Sequence, residues 1–172
     1  MNNNLIKYSL LFISLVLLQV LVLNQIFFLG YATPFLYIYF LIKLPVGINR
    51  NIVVLLGFLL GLIIDMFCNT LGLNAAAATF AAFLRLSVQK LFFEREDFEH
   101  IEPKLSSLGG SFIKYVIAMI LIHHTALIAI ESFSYSDIET MLIRIVLSSA
   151  LTFILVFAFE SFAVKKKSRE KQ

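Results

Sequence analysis

The sequence predicts an all-α fold, a polytopic bundle of six transmembrane helices. Of its 172 residues, 60% are apolar and only 15% are charged, and the mean hydropathy is +0.91. A soluble domain carries about 25% charged residues, because polar side chains must cover its surface. Lipid is therefore the predicted surroundings for most of this surface. We expect one transmembrane domain over residues 1–164.

The basic residues are concentrated in a way that indicates orientation rather than nucleic-acid binding. The formal net charge is +3, and the last eight positions hold Lys165, Lys166, Lys167, Arg169 and Lys171. A basic run directly after an apolar segment is typical of a cytoplasmic anchor. Residues 165–172 are accordingly predicted to be a cytoplasmic tail, and no nucleic-acid partner is expected. The single cysteine, Cys68, cannot form an internal disulfide.

Six apolar runs set the predicted helices, since about 20 apolar residues cross a hydrocarbon core of about 30 Å. They cover residues 5–28, 33–48, 52–67, 71–91, 112–130 and 140–164. The first run is too long for a signal peptide and offers no cleavage site, so it is predicted to be a retained span.

The second run is the shortest. It begins at Pro34, which suits a first helical turn, and is interrupted by Lys43 and Pro45. A helix over 33–48 is about 24 Å long. It spans only if the Lys43 side chain extends to the headgroups or the bilayer thins, so its boundaries stay open.

The other runs have clearer limits. The third follows the polar residues 49–51, the fourth is rich in alanine, the fifth is entered through Gly109 and Gly110, and the sixth ends in the lysine run. With both termini cytoplasmic, the three external connections (29–32, 68–70 and 131–139) contain no Lys or Arg. This distribution follows the positive-inside rule and favours six spans.

Ionisable residues inside the predicted spans each cost about 2.5–3.5 kcal/mol at mid-bilayer, and four of them are candidates for function or specific packing. They are Asp65, Arg85, Arg144 and Glu160. Counting depth along the helices predicts two ion pairs, Asp65 with Arg144 and Arg85 with Glu160. The alternative is that the two arginines extend to the nearer headgroup layer. A short carboxylate cannot do so, which favours burial of Asp65 against protein.

Small residues mark a predicted packing face. Gly57, Gly61 and Asp65 fall at i, i+4 and i+8 on one side of the third helix. A GxxxG pair lets a second helix approach closely in lipid. Ala77 and Ala81 of the fourth run are the predicted opposing surface, and helix packing is the favoured interpretation of these residues.

The remaining polar features indicate no enzyme. His123 and His124 are adjacent and face about 100° apart, so hydrogen bonds between helices are favoured over a metal site. No catalytic constellation or phosphate-binding loop is visible, and no catalytic residue, metal or cofactor is expected. The acidic stretch 94–104 is either a docking surface for a basic partner or a solvated connection, and the latter is favoured.

One stretch carries a family resemblance. Gly57-Phe58-Leu59-Leu60-Gly61-Leu62-Ile63-Ile64-Asp65, followed by Leu71-Gly72-Leu73-Asn74-Ala75, resembles the bacterial rod shape-determining protein MreD family. The resemblance implies a non-enzymatic subunit of the inner (cytoplasmic) membrane that helps maintain cell shape. Its implied partners are an MreC-like protein and, through it, an MreB-like filament, a RodA-like glycosyltransferase and a class B penicillin-binding protein. The residues that carry over are Gly57, Gly61, Asp65, Gly72 and Asn74.

A second function remains open. The six-helix architecture is also similar to the substrate-binding S subunit of energy-coupling-factor transporters, and Asp65, Asn74 and the histidines could then line a cavity. Interior polar groups are few and scattered in the sequence, whereas small-residue faces are plentiful. This balance favours a structural membrane subunit over a small transporter.

Overall fold

The structure, a computed structural model, describes residues 2–28, 30–94, 102–132 and 137–169, and side chains within residues 4–161 of these ranges. Residues 95–101 of the predicted acidic stretch, residues 133–136 of the predicted third external connection and the side chains of the basic tail lie outside this description.

The described residues form six α-helices and one 3₁₀ turn, without a β-strand among them. The helices are α1 (Asn2–Leu21), α2 (Ile38–Lys43), α3 (Arg50–Cys68), α4 (Leu73–Phe92), α5 (Leu105–Ser132) and α6 (Ile138–Arg169). The 3₁₀ turn, Leu23–Gln25, follows α1. Four segments are long and apolar enough to cross a membrane: Asn4–Gln25, Arg50–Cys68, Leu105–Ser132 and Ile138–Ser161. The all-helical class and the membrane-protein character predicted from composition are thus confirmed.

The helices that follow one another from α3 to α6 also pack side by side. The most extensive contact is between α3 and α4, followed by α4 with α5 and α5 with α6. Because α4 lies against two neighbours, many of its residues are buried, including alanines and the charged Arg85. The glycine at 109 has a φ of 49° and kinks α5 near its start, a conformation that glycine adopts at little cost.

The predicted helix over residues 33–48 is corrected by the structure. Only Ile38–Lys43 are helical, and all six residues are buried. Six residues extend about 9 Å, too short to cross a membrane as a helix. The helix ends before Pro45, which disfavours helical backbone at the preceding residue; Leu44 accordingly has a ψ of 141°. We call residues 33–46 the internal segment, because the bundle surrounds them.

The glycines of α3 are in close contact with α4. A Cβ added at Gly57 would lie 2.8 Å from the Cβ of Ala82 and 2.9 Å from the carbonyl oxygen of Ala78. A Cβ at Gly61 would collide with the backbone of Asn74 and Ala75. The two backbones can approach this closely only because both α3 positions lack a side chain.

The alanines on the facing side of α4 differ from the predicted pair. Ala75, Ala78 and Ala82 oppose the α3 glycines, whereas Ala77 packs with α5 and α6 and Ala81 belongs to the main core. One residue along a helix turns the side chain by about 100°. An alanine-rich helix offers several equivalent small faces, and the sequence alone did not distinguish among them.

We expect Gly61→Ala to destabilise the protein by about 2–3 kcal/mol, because the new methyl group overpacks against the α4 backbone. The midpoint of thermal unfolding in detergent, followed by size-exclusion chromatography, measures this change. Gly110→Ala is the matched control, since a Cβ there meets nothing within 4 Å. Equal midpoints for the two variants would contradict the close α3–α4 contact.

Candidate functional site

Asp65, in the last turn of α3, accepts hydrogen bonds from four donor groups. Its side chain is only 3% exposed. One carboxylate oxygen accepts hydrogen bonds from the Thr70 hydroxyl, from the Asn74 backbone N–H at 3.1 Å and from the Asn74 side-chain amide at 2.9 Å. The other oxygen accepts from the Ala75 N–H at 2.8 Å.

Asp65 therefore caps the start of α4 from outside that helix. The residue at the N-cap position of α4 is Gly72, with a φ of 80° and no side chain. The first N–H groups of a helix need an acceptor, and the helix dipole favours a negative group there. Asp65 supplies both, so a single carboxylate joins α3 to α4. We call this arrangement the α3–α4 junction.

The junction continues to the internal segment and to α5. The Tyr37 hydroxyl lies 3.0 Å from Oδ1 of Asn74 and 2.6 Å from Nε2 of His123. Because the Asn74 amide nitrogen already donates to Asp65, its oxygen can only accept, and the Tyr37 proton points towards it. Nε2 of His123 then carries a proton and donates to Tyr37. Nδ1 of His123 is a buried acceptor without a partner among the described residues.

His124 takes the opposite tautomer. Its Nδ1 lies 2.9 Å from the Ile120 carbonyl oxygen and must donate to it, so Nε2 is an acceptor. Nε2 lies 2.9 Å from the Thr152 hydroxyl, whose single proton it shares with the Ser148 carbonyl oxygen, also at 2.9 Å. The nitrogens of the two histidines thus bond different groups, whereas both rings pack against Phe35. The pair holds the internal segment between α5 and α6.

Polar side chains of neighbouring helices also satisfy the backbone of the internal segment. The N–H of Phe35 donates to the Thr152 hydroxyl at 3.0 Å, and the N–H of Thr33 donates to Ser148 at 3.2 Å. Gln19 of α1 is fully buried; it accepts from the Leu36 N–H at 2.9 Å and donates to the Pro34 carbonyl at 3.0 Å. Sequence reasoning did not identify these partners, although polar residues within apolar runs were the available signal.

A second buried network lies around Glu160 of α6, which is 2% exposed. It accepts hydrogen bonds from the Tyr39 hydroxyl at 2.8 Å, from Nζ of Lys43 at 3.1 Å and from the Leu105 N–H at 3.3 Å. Lys43 also donates to the Pro103 carbonyl at 2.8 Å. Lys43 is therefore buried and paired, instead of extending to the headgroups as a spanning helix would require.

Glu102 extends this second network to α1. Its carboxylate lies 2.5 Å from Nζ of Lys7, 2.9 Å from Lys104 and 3.9 Å from Lys43. Burial by itself would raise the pKa of Glu102. The hydrogen bonds from Lys7 and Lys104, with the charge of Lys43, outweigh burial and lower that pKa below its ordinary value.

The two predicted ion pairs within the bundle are both wrong, because each charge has another partner. Asp65 bonds the α4 N-terminus, and Arg144 pairs with Glu131 at 2.7 Å. Glu160 pairs with Lys43. Arg85 donates to the Leu44 carbonyl and to the Tyr115 hydroxyl at 3.1 Å. Counting depth along the helices could not find these partners, because it ignores helix rotation. It also ignores the carbonyl groups that are freed where α2 ends before Pro45.

Asp65→Asn should destabilise the protein by about 1–3 kcal/mol, since an amide nitrogen replaces one acceptor oxygen among four donors. The midpoint of thermal unfolding in detergent measures the effect. Cys68→Ser serves as the control, because serine can still accept the hydrogen bond that Asn24 donates to Cys68. A larger loss for Cys68→Ser than for Asp65→Asn would be inconsistent with the capping role.

Glu160→Leu is expected to cost about 3–5 kcal/mol, because it removes the nearer carboxylate of the buried Lys43 and leaves only Glu102, at 3.9 Å. Adding Lys43→Met should recover most of that loss, since apolar replacement of a buried pair is often neutral. Glu131→Gln removes the partner of Arg144, and this ion pair is more exposed than the pair of Lys43 and Glu160. It should therefore cost less than about 1 kcal/mol. Similar losses for Glu160→Leu and Glu131→Gln, measured by the same assay, would refute the buried pair.

Together, the two networks connect the internal segment to the surrounding helices. Most of their polar groups are hydrogen-bonded to other groups of the protein. Among the described residues, no group of three or more His, Cys, Asp or Glu side chains could hold a metal ion. A comparison of the chain with family models, curated proteins and solved structures found no match.

Proposed function

We propose that this protein is a non-enzymatic, multi-pass subunit of the bacterial cell-elongation complex in the inner membrane. It binds an MreC-like protein and, through it, an MreB-like filament and the RodA-like and class B penicillin-binding enzymes of wall synthesis. One observation carries the proposal. The residues on which the MreD resemblance rests, including Gly61, Asp65 and Asn74, meet in the α3–α4 junction. In the junction these residues pack two helices together and cap one of them, which is the kind of role that a structural subunit requires.

We also propose six crossings with both termini in the cytoplasm. The four long apolar helices account for four crossings, and α4 and the internal segment supply the others. The internal segment contacts α6 from Ser148 to Glu160, which is about 18 Å along that helix. Buried non-helical backbone is tolerated at membrane depth when protein surrounds it. The placement of Lys and Arg supports the orientation.

A small transporter or substrate-binding membrane component is the second candidate. Interrupted helices supply substrate sites in many transporters, and the internal segment is the feature in favour of this candidate. Beside it lies Nδ1 of His123, which has no hydrogen-bond partner among the described residues. Against it, the carboxylate of Asp65 and the amide of Asn74 are bonded to protein groups. The structural subunit is therefore the better supported function.

Depletion of the protein should make rod-shaped cells widen and become round, and re-expression should restore their width in phase-contrast images. The MreC-like protein should copurify with the tagged chain from solubilised membranes. Normal width after depletion would overturn the elongation role. Uptake of a labelled small molecule into proteoliposomes would favour the transporter instead.

The copurification also tests the α3–α4 junction. Asp65→Asn should lower the amount of MreC-like protein recovered more than Cys68→Ser does, at equal amounts of folded bait. Both residues lie in the last turn of α3, so they share depth and helix. Equal recovery would show that partner binding does not depend on the junction.

A further inference from the structure

An open apolar groove of about 540 Å³ runs along the outer surface between α3 and α4. Val54, Phe58 and Leu62 line it from α3 at intervals of four residues, and Phe80 and Phe83 line it from α4. The three phenylalanine side chains are 43–50% exposed. The groove therefore faces the surroundings of the bundle and not its core.

Arg50 stands at one end of this groove. It precedes Val54 by four residues and so continues the same stripe of α3. Its guanidinium carbon lies 3.6 Å from the centre of the Phe83 ring, which itself lines the groove. Stacking of this kind holds the planar guanidinium in place and leaves its edge free to donate hydrogen bonds.

The charge of Arg50 is not neutralised by the part of the chain that the structure describes. Its Nε is buried without a hydrogen-bond partner among those residues, and none of their ion pairs includes Arg50. Other cations of the bundle differ in this respect. Lys43 is paired with Glu160, Arg144 with Glu131, and Arg85 with freed carbonyls.

A second cation lies at the same end. Lys90 follows Phe83 by seven residues, so it lies on the same face of α4 about 10 Å further along the helix. Lys90 is exposed. The far end of the groove, at Leu62 and Gly72, has no charged lining residue. The groove is thus apolar along its length, and two cationic residues lie beyond one of its ends.

An apolar groove with cationic residues beyond one end is complementary to an amphiphile with an anionic headgroup. From Val54 to Leu62 the groove extends about 12 Å along α3, close to the depth of about 15 Å of one hydrocarbon leaflet. We propose that the groove binds an anionic phospholipid, with its acyl chains along Phe58 and Phe80 and its phosphate at Arg50 and Lys90. The site is independent of the proposed role in cell elongation.

The full-length protein is reconstituted into phosphatidylcholine nanodiscs that contain a minor fraction of phosphatidylglycerol, then extracted into mild detergent. Mass spectrometry measures the phosphatidylglycerol that remains bound to each protein. The wild-type protein should retain phosphatidylglycerol in preference to phosphatidylcholine. Arg50→Gln should lower that retention about fivefold. Arg144→Gln, the same change at a paired arginine, should leave it unchanged.

A second variant distinguishes lipid binding in the groove from general electrostatic attraction to the protein surface. Ala76 is exposed and lines the groove, so Ala76→Phe should fill it and lower phosphatidylglycerol retention while Arg50 remains. Ala150 is also exposed, in a separate apolar groove between α5 and α6, and Ala150→Phe should have no effect. Size-exclusion chromatography verifies that each variant is folded.

Three outcomes overturn the proposal. Retention that is equal for wild type and Arg50→Gln excludes a headgroup site at Arg50. Retention that falls with Arg50→Gln but not with Ala76→Phe indicates surface attraction without a groove site. Disulfide-linked dimers of an Ala76→Cys variant in the nanodiscs would mean that a second copy of the chain occupies the groove.

Discussion

The constraint on which this structure depends is that non-helical backbone runs through the interior of an apolar bundle. In such surroundings each unsatisfied N–H or C=O costs several kcal/mol. Three N–H groups ahead of α2, those of Thr33, Phe35 and Leu36, donate to side chains instead of backbone carbonyls. The acceptors are Ser148, Thr152 and Gln19. The presence of these three polar residues in apolar helices is thereby explained, because they bond the backbone of another segment.

The two carboxylates of the core extend the same principle to the short helix α2. Asp65 satisfies the start of α4 and, through Asn74, reaches the hydroxyl of Tyr37. Glu160 receives the hydroxyl of Tyr39 and the ammonium group of Lys43. Residues at both ends of α2 are therefore tied to a buried negative group. A core fixed in this way leaves the outer helix faces for contacts with lipid and with partner proteins, which agrees with a structural subunit.

Much of the fold was accessible from local sequence signals. The apolar content and the length of the runs indicated helices, and the spacing of Gly57 and Gly61 indicated a close-packing face, which α4 occupies. The facing alanines were assigned to the wrong side of α4, since Ala75 to Ala78 offer small residues in every direction. Depth along the helices is the only basis for the two predicted ion pairs. The actual partners of these charges lie on elements whose placement cannot be read from the sequence.

The sequence by itself determined the helical class, the membrane-protein character and the burial of Asp65 against protein, because hydrophobicity and helical periodicity are local properties. Only the tertiary structure decided that residues 33–46 form an internal segment with a helix of six residues. It also decided that Lys43, and not Arg85, neutralises Glu160. The physical reason is that a buried charge is stabilised by whichever groups the packed helices bring within hydrogen-bond distance. Those groups depend on helix rotation and on contacts between residues more than a hundred positions apart.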